Sequence, residues 1–216
     1  VLPIGGHAVP AHGGGVIAGR TVAGAVAVAE PGLKGEVFAT VLAGVVLAPA
    51  LFRVGDGLAV QTDVSDEESV ADMIARAMEE FGRIDVLLNN AAIFSTVTRS
   101  RFEDISRDDW TKILDVNVIG TWICSKLVVP HMEAGGYGRI INISSSTVPV
   151  GLPLLTHYVT SKAAVIGLTR CMATELGERG ITCNAILPGM TESEVDYVGR
   201  TEASFTGVLG MQKIKR

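Results

Sequence analysis

Short apolar runs alternate with amphipathic helical patterns along the chain from about residue 54 onward. Short apolar runs bounded by polar or glycine-rich segments predict strands, and apolar positions spaced three and four apart predict helices. The predicted strands are 58–61, 84–88, 138–143 and 181–187, and the predicted helices are 65–81, 108–133 and 158–178. This alternation indicates an α/β fold with a doubly wound parallel sheet in three layers, α/β/α.

Local signals mark where these helices begin and end. Ser65 is followed three residues later by Glu68, a capping-box pattern that predicts Ser65 as the cap of the first helix. Gly82 and Gly180 follow the last periodic residues of two helices, where glycine readily adopts the left-handed backbone that ends a helix. Polar or small residues follow the apolar strands, and in open α/β sheets that edge binds ligands.

The first 62 residues differ in composition from the rest of the chain. They carry six charged side chains and are rich in alanine, valine and glycine, so no helix with a charged face is evident. The uncharged run 37–52 is interrupted by Pro49 and is shorter than the roughly 20 residues that a membrane-spanning helix needs. We predict a strand at about 37–41, followed by a loop or a helix, and one domain over 1–216.

Charge and cysteine content exclude several classes of partner. The net charge is −5 with 19% charged residues, which does not favour nucleic acid or an anionic membrane. Cys124, Cys171 and Cys183 are odd in number and lack the short paired spacing of zinc or redox sites, and the four histidines are scattered. We predict reduced thiols, no metal site and, because no basic and then apolar leader pattern begins the chain, a cytoplasmic protein.

Tyr158 and Lys162 lie four residues apart on a predicted helix, so both side chains are on one face about one turn apart. The pKa of a free tyrosine is about 10, and a neighbouring ammonium lowers it by stabilising the phenolate. The pair therefore has the composition of a proton-transfer site. The same spacing also occurs on ordinary solvated helix faces, so the pair alone does not define a site.

Polar residues near strand ends supply a context for that pair. Ser145 follows an apolar strand, where its hydroxyl can hold a carbonyl oxygen or simply take part in a turn. Asn117 lies inside the predicted helix 108–133, where its amide competes with backbone hydrogen bonds, so we expect a functional or strained site there. Small residues after two further strands would let a flat ring approach the backbone: Asn89, Asn90, Ala91 and Ala92 at one strand, and Pro188 and Gly189 at the other.

Together these segments resemble the short-chain dehydrogenase/reductase family. The resemblance rests on NNAA at 89–92, Asn117, GRIINISS ending at Ser145, YVTSK at 158–162 and NAILPG ending at Gly189. It covers about residues 54–190 in the family's order, and only Ala92 departs mildly, where the family usually has glycine. The resemblance implies a single Rossmann-type domain that transfers a hydride between a nicotinamide dinucleotide and a carbonyl or secondary alcohol.

Roles for the catalytic residues are implied by the resemblance. Tyr158 would be the general acid in reduction and the base in oxidation, and Ser145 would hydrogen-bond and polarise the substrate carbonyl. Lys162 would lower the pKa of Tyr158 and bind the ribose hydroxyls beside the nicotinamide. Asn117 would hold a water that links Lys162 to solvent. Further cofactor contacts would come from Asp63 and Val64 at the adenine, from Asn90 at the adenosine ribose, and from Ala91, Pro188 and Gly189.

The glycine-rich loop that would bind the pyrophosphate departs most from the family pattern. The best candidate is HGGGVIAG at 12–19, in which Gly13, Gly15 and Gly19 align with family glycines. Ile17 replaces the central glycine, where a branched side chain would crowd the phosphates, and His12 replaces a threonine. A flexible turn would also account for these glycines. For region 9–53 three explanations stay open: a diverged loop, a catalytically inactive binding or scaffold protein, or a written sequence that departs from the true one.

Cofactor and substrate preferences are read from two segments. The predicted strand at about 37–41 ends without an acidic residue, and the loop around Val16 lacks the basic residue that often marks NADP enzymes, so we favour NAD over NADP. The apolar segment PVGLPLL at 149–155 predicts a hydrophobic or aromatic carbonyl or alcohol as the substrate. Residues 189–216 resemble the lid of bacterial members that act on aryl secondary alcohols or pyridoxal-like substrates, and the chain also resembles 3-oxoacyl reductases.

Family members usually continue for some tens of residues past the position of Arg216, with a helix and a last strand that help to form subunit contacts. Two alternatives are open: the chain is incomplete, or the assembly is altered and the sheet lacks its last strand. Homo-tetramers are usual in the family, with the helices that bear Asn117 and Tyr158 at one interface. The resemblance therefore implies a homo-oligomer, either a dimer or a tetramer.

Overall fold

The computed structural model of the protein describes residues 25–27, 38–41 and 58–190. Its strands are β1 (Ala25–Ala27), β2 (Phe38–Val41), β3 (Leu58–Val60), β4 (Val86–Asn89), β5 (Gly138–Ile143) and β6 (Ile181–Ile186). They form one sheet in the order β3-β1-β2-β4-β5-β6. The strand predicted at about 37–41 is therefore found, and it lies next to β4.

The sheet is parallel from β2 to β6, as predicted, because β2 pairs with β4, β4 with β5, and β5 with β6 in the same direction. β1 runs antiparallel to both β2 and β3, so the prediction of a wholly parallel sheet is wrong at this strand. The connection 28–37 between β1 and β2 is shorter than the dozen or more residues that a crossover between parallel strands requires. An antiparallel pair needs no crossover.

The helices are α1 (Glu67–Phe81), α2 (Arg107–Leu114), α3 (Gly120–Ala134), α4 (Thr147–Val150) and α5 (Thr156–Leu176). A π-helical segment, Asp115–Ile119, joins α2 to α3, and two 3-10 turns are found at Phe102–Asp104 and Gly177–Arg179. α1 packs against α3, while α5 packs against α2 and the π-helical segment. The described long helices therefore pack side by side as one layer, and the second helical layer of the predicted sandwich falls outside the described residues.

The first helix is capped one residue later than predicted. Asp66, not Ser65, is its cap, because the Asp66 side chain accepts a hydrogen bond of 3.0 Å from the Glu68 backbone N–H. The hydroxyl of Ser65 is used elsewhere, since it donates to Asp63 Oδ1 at 2.6 Å. The predicted stop is confirmed at Gly82, whose φ of 70° is the left-handed conformation that ends the helix.

One hydrophobic cluster fills the space between the sheet and the long helices. Val128 and Met132 of α3 and Ile140 of β5 have no exposed surface. Residues of β5 alternate between buried and half-buried positions, as expected when one face of a strand meets the core. Each fully buried side chain of this size contributes roughly 1.5–3 kcal/mol.

The helical stretch Arg107–Ala134 is long and apolar enough to cross a membrane by length and composition alone. Core helices pass the same test, and 56% of its most apolar 18-residue window is buried inside the protein. Its buried apolar residues, among them Ile123, Val128 and Met132, are part of the core described above. This stretch is therefore weak evidence for a membrane span.

Replacing Gly138 by alanine is expected to destabilise the protein. A Cβ at Gly138 would lie 2.6 Å from Met132 Sδ and 2.8 Å from Met132 Cβ. Because Met132 is fully buried and cannot swing into solvent, we expect the free energy of unfolding to fall by about 1–3 kcal/mol in Gly138→Ala. The matched control is Gly167→Ala in α5, where no atom lies within 4 Å of the added Cβ and a gain of up to about 1 kcal/mol is expected. Denaturant titration measures both; equal effects at the two sites would contradict the packing described.

Candidate active site

The carboxyl ends of β4, β5 and β6 meet at one edge of the sheet because these strands run parallel. The backbone after β5 is tied to the backbone after β6 by two hydrogen bonds. Ser144 N–H donates to the Ile186 carbonyl at 2.8 Å, and Ser146 N–H donates to the Pro188 carbonyl at 3.0 Å. Ser145 is therefore held between two anchored neighbours.

Ser145, Tyr158 and Lys162 converge at this edge, as the sequence predicts. The Ser145 side chain interacts with the Tyr158 phenol and lowers its pKa, and Ser145 Oγ accepts from the Thr147 hydroxyl at 2.9 Å. Lys162 Nζ donates to the Ile143 carbonyl at 2.8 Å and lies 6.0 Å from the centroid of the Tyr158 ring. Exposed fractions of 8% for Ser145, 6% for Tyr158 and 3% for Lys162 show that all three are buried.

Burial shifts the pKa values of the two titratable groups in opposite directions. It raises the pKa of Tyr158, an effect that the interaction with the Ser145 side chain partly opposes, and it lowers the pKa of Lys162 to about 8. The predicted lowering of the Tyr158 pKa by Lys162 is therefore not found in this arrangement. The reason is geometric: the ammonium is bonded to the Ile143 carbonyl and lies 6.0 Å from the ring centroid. A neutral phenol is nevertheless the form that can donate a proton.

Asn117 lies in the π-helical segment, where the sequence predicts a functional or strained site. Such segments are rare inside helices and are frequent at functional sites. Asn117 Oδ1 accepts from the Ile93 N–H at 2.7 Å, and Asn117 Nδ2 donates to the Ile93 carbonyl at 3.4 Å and to Ser161 Oγ at 3.0 Å. Because both amide hydrogens are used within the protein, a water at Asn117 could be held only through the lone pairs of its oxygens.

The structure adds supporting residues that the sequence did not single out. Ser161 Oγ donates to the Tyr158 carbonyl at 2.7 Å, and Ser144 Oγ donates to the Lys162 carbonyl at 2.8 Å. These two serines hold the backbone of both catalytic candidates on α5. Ser161 lies within the YVTSK segment, so its place beside Lys162 is a usable signal, whereas its contact with Asn117 spans 44 residues and has no local signature.

Removing the Ser161 hydroxyl is expected to disturb the site. In Ser161→Ala the Asn117 amide loses one acceptor, so we expect turnover to fall about tenfold and the free energy of unfolding to fall by about 1–2 kcal/mol. Thr174→Ala is the matched control, since Thr174 Oγ1 donates to the Arg170 carbonyl on the exposed side of the same helix. Steady-state rates measure turnover, and denaturant titrations measure the free energy of unfolding, in both variants. Equal turnover in Ser161→Ala and Thr174→Ala would contradict a positioning role.

A narrow cleft opens at the same sheet edge beside the end of β4. Its lining includes the small or polar residues Val64, Asn89, Ala91, Gly120 and Thr121. Gly120 approaches so closely that a Cβ there would lie 2.8 Å from Val64 Cγ2. Asn89 Oδ1 is buried and has no hydrogen-bond partner among the described residues. The unpaired acceptor and the small side chains have the chemistry to contact a nucleotide, but the cleft itself is too narrow to hold even a water molecule.

The remaining predicted cofactor residues lie around this cleft or outside the described residues. Val64 and Ala91 line it, and exposed Asn90 lies between Asn89 and Ala91. The carboxylate of Asp63 is already engaged, because Asp63 Oδ1 accepts from the N–H and the hydroxyl of Ser65. Pro188 and Gly189 are exposed after β6. Gly13, Gly15 and Gly19 lie outside the described residues.

Apolar side chains lie beside Tyr158 and along the segment that follows Ser145. The Phe94 ring lies 4.9 Å from the Tyr158 ring, measured between centroids, and Phe94 is 37% exposed. Val150 and Leu154, in the segment after Ser145, are 72% and 42% exposed. Leu154 has a φ of 65°, a strained conformation for a residue other than glycine, and its carbonyl accepts from the Ser100 N–H at 3.1 Å. This bond joins the loop after β4 to the segment after Ser145.

Cys124 lines the cleft beside β4, and the described residues show no metal-binding cluster. Cys124, Cys171 and Cys183 are free thiols, and burial raises the pKa of Cys124 to about 12 and that of Cys183 to about 11. A thiol with so high a pKa is a poor nucleophile at neutral pH. Within residues 58–190 and the two short strands before them, no group of three or more His, Cys, Asp and Glu side chains could hold a metal ion.

Comparison with known proteins assigns this chain to a family. The family model for short chain dehydrogenases matches residues 48–202. The chain belongs to that family, whose members are nicotinamide-dependent oxidoreductases acting on carbonyl and CH–OH groups. The family and the α/β fold predicted from the sequence are thereby confirmed.

Individual relatives and solved structures support the assignment. The chain is 36% identical over 174 residues to a 3-oxoacyl-[acyl-carrier-protein] reductase of Synechocystis sp., covering 79% of this chain and 69% of that protein. It is similar to ElxO with NADP bound, at 40% identity and a TM-score of 0.59, covering 62% of this chain and 53% of ElxO. It is also similar to NAD+-bound xylitol dehydrogenase, at 35% identity and a TM-score of 0.59, covering 62% of this chain and 50% of the dehydrogenase. The chain thus spans about half the length of these two solved structures.

Proposed function

We propose that this chain is an NAD(P)-dependent oxidoreductase that moves a hydride between a nicotinamide cofactor and a carbonyl or secondary alcohol with apolar substituents. The observation that carries the proposal is the convergence of Ser145, Tyr158 and Lys162 at the ligand-binding edge of the sheet. An ordinary solvated helix face would leave the tyrosine and lysine exposed, whereas both are buried.

The chain's own residues would handle the proton and the substrate oxygen. Tyr158 would donate its phenolic proton to the carbonyl oxygen, and Ser145 would donate a hydrogen bond to the same oxygen. Lys162 would turn its ammonium from the Ile143 carbonyl towards the ribose hydroxyls and the phenolate that forms. The reduced nicotinamide, when bound, supplies the hydride for the carbonyl carbon. Oxidation of an alcohol reverses each step, with the phenolate of Tyr158 as the base.

The apolar approach supports a hydrophobic or aromatic substrate. Phe94 offers aromatic surface beside Tyr158, and Val150 and Leu154 offer exposed aliphatic surface in the segment after Ser145. A carbonyl with an acyl chain or an aryl group would bury part of this surface. A polyol or sugar would leave its hydroxyls against these side chains without partners. The reductase relative that acts on 3-oxoacyl groups supports the acyl alternative within this class.

For the cofactor we favour NAD over NADP, because the strand Phe38–Val41 is not followed by a basic residue that would bind an extra phosphate. The similar solved structures include one with NADP and one with NAD+, so both cofactors belong in the test. A cytoplasmic location is part of the proposal and is supported by three free thiols with no disulfide among them.

We also propose that the protein works as a homo-oligomer, a dimer or a tetramer. Ile119 and Trp122, at the junction of the π-helical segment and α3, are 43% and 42% exposed. Exposed large apolar residues on adjacent turns are typical of association surfaces. Light scattering after gel filtration of the wild type and of Trp122→Glu tests this: a monomeric wild type, or an unchanged mass in the variant, would contradict it.

Titration with both nicotinamides, followed by a substrate panel, tests the proposed activity. We expect the protein to quench or enhance the fluorescence of NADH or NADPH on binding. It should then consume the reduced cofactor with an aryl methyl ketone or a 3-oxoacyl thioester, and more slowly with a ketose. Failure to bind either cofactor would favour the inactive binding or scaffold protein, and binding without turnover of any ketone would also contradict the proposed reaction.

A further inference from the structure

A groove lies between the loop after β4, helix α2 and the first turn of α5. It encloses about 470 Å³ of empty space, including its open mouth. Its lining combines aliphatic and hydroxyl side chains: Ile93, Ile105, Ile113, Thr96, Thr98 and Ser100. None of Ser145, Tyr158 and Lys162 lines the groove, so it is separate from the catalytic constellation.

His157 lines this groove and carries a ring nitrogen without a hydrogen-bond partner. The residue is 5% exposed, and its Nδ1 is buried with no hydrogen-bond partner in the part of the chain that the structure describes. Burial lowers the pKa of His157, against the opposing effect of the Asp109 carboxylate, which favours the neutral ring. Each ring nitrogen of a neutral imidazole either donates or accepts a hydrogen bond, and leaving it unpaired in the interior is unfavourable. A hydroxyl group, which can donate and accept, can supply the missing partner.

Charge in the groove is provided by helix α2. Lys112 lines it and forms no ion pair with any residue between 58 and 190. Asp109 lines it as well, but its Oδ2 already accepts from the Ser106 hydroxyl at 2.7 Å. The groove therefore carries one charge of each sign, in which the ammonium of Lys112 has no ion-pair partner and can pair with a carboxylate, and its aliphatic side chains can contact a short hydrocarbon part.

We propose that this groove binds a short aliphatic hydroxycarboxylate. Its carboxylate pairs with the ammonium of Lys112, its hydroxyl forms a hydrogen bond with Nδ1 of His157, and its alkyl part packs against the isoleucines. The groove shares a wall with the catalytic site, because Ile93 also holds the side chain of Asn117. The proposal does not depend on the oxidoreductase activity.

The probe is 2-hydroxyisobutyrate, a tertiary alcohol that cannot be oxidised to a ketone, so its binding is distinct from turnover. Trp110 is the reporter, since its ring lies edge-on to His157 at 6.1 Å between centroids, and the Trp122→Phe background removes the chain's other tryptophan. We expect a saturable change in fluorescence. Pivalate, which has a methyl in place of the hydroxyl, and the neutral 2-hydroxyisobutyramide should each bind about tenfold more weakly, the effect of one hydrogen bond or ion pair.

Two substitutions assign the binding to this groove. Lys112→Gln and His157→Phe should each raise the dissociation constant about tenfold, while Lys126→Gln, which removes an ammonium paired with Glu67 elsewhere, should leave it unchanged. Lys112 is exposed, so its variant is expected to fold even where His157→Phe does not. No saturable signal, equal binding of pivalate, an equal effect at Lys126, or displacement of the probe by NADH would each overturn the proposal.

Discussion

Replacement of Tyr158 by phenylalanine is expected to lower turnover by about 10²–10⁴-fold, the usual contribution of a positioned general acid, while the fold and cofactor binding are retained. The phenol is buried, and Ser145 keeps its own partner in the variant because its Oγ accepts from Thr147. Only the proton donor is lost. Rates with an aryl ketone and NADH binding by fluorescence measure the two effects separately.

Tyr137→Phe is the matched control for that substitution. Tyr137 precedes β5 at the opposite end of the strand from Ser145, and its ring stacks with the Arg139 guanidinium at 4.1 Å from the centroid. We expect it to keep wild-type turnover. A Tyr158→Phe protein that binds NADH and still reduces ketones at the wild-type rate would remove Tyr158 from the reaction.

Replacement of Lys162 by methionine is expected to abolish most turnover and to change how stability depends on pH. Burial lowers the pKa of Lys162 to about 8, below the ordinary value of 10.5 that it regains on unfolding. Between these two values the unfolded chain binds a proton that the folded chain does not, so this group makes the wild type more stable as the pH rises. The contribution of Lys162 to the free energy of unfolding should increase by about 2 kcal/mol between about pH 7 and pH 9.5.

Denaturant titrations across that range give the difference in the free energy of unfolding between the wild type and Lys162→Met. Titratable groups that are common to both proteins cancel in this difference. Buried Cys124 and Cys183 are such groups, since their raised pKa values make both proteins less stable at alkaline pH. The buried ammonium makes the wild type less stable than the methionine variant at neutral pH, and this difference in the free energy of unfolding should shrink as the pH rises. Lys126→Met controls for removal of a surface ammonium. Parallel stability curves for Lys162→Met and the wild type would contradict a desolvated lysine.

Much of the fold could be predicted because its signals are local. The apolar strands and the glycine stop at Gly82 depend on neighbours within a few residues. The cap of α1 shows where local patterns fail: Ser65 and Asp66 are both good caps, and the choice is decided by Asp63, which takes the Ser65 hydroxyl. The direction of β1 depends on connection length and pairing partners, which propensity does not encode.

The candidate site residues could be picked out from the sequence, but their geometry could not. Asn117 stood out because asparagine is unfavourable inside a helix, and the structure places it in a π-helical segment. Its partners Ile93 and Ser161 lie 24 and 44 residues away, so no local pattern could reveal them. The direction of the Tyr158 pKa shift also depends on burial and on where Lys162 Nζ is bonded, neither of which spacing determines.

The central claim, that Tyr158 and its neighbours serve a hydride transfer, is tested most directly by an isotope-transfer experiment. NADH deuterated at the reactive ring carbon, prepared separately on each face, is incubated with the protein and an aryl methyl ketone, and the alcohol is analysed by mass spectrometry. We predict that one of the two labelled cofactors gives an alcohol with deuterium on the carbinol carbon, and that Tyr158→Phe gives almost none. An alcohol without deuterium from both labelled cofactors, or no alcohol from the wild type with any carbonyl of the panel, would contradict the claim.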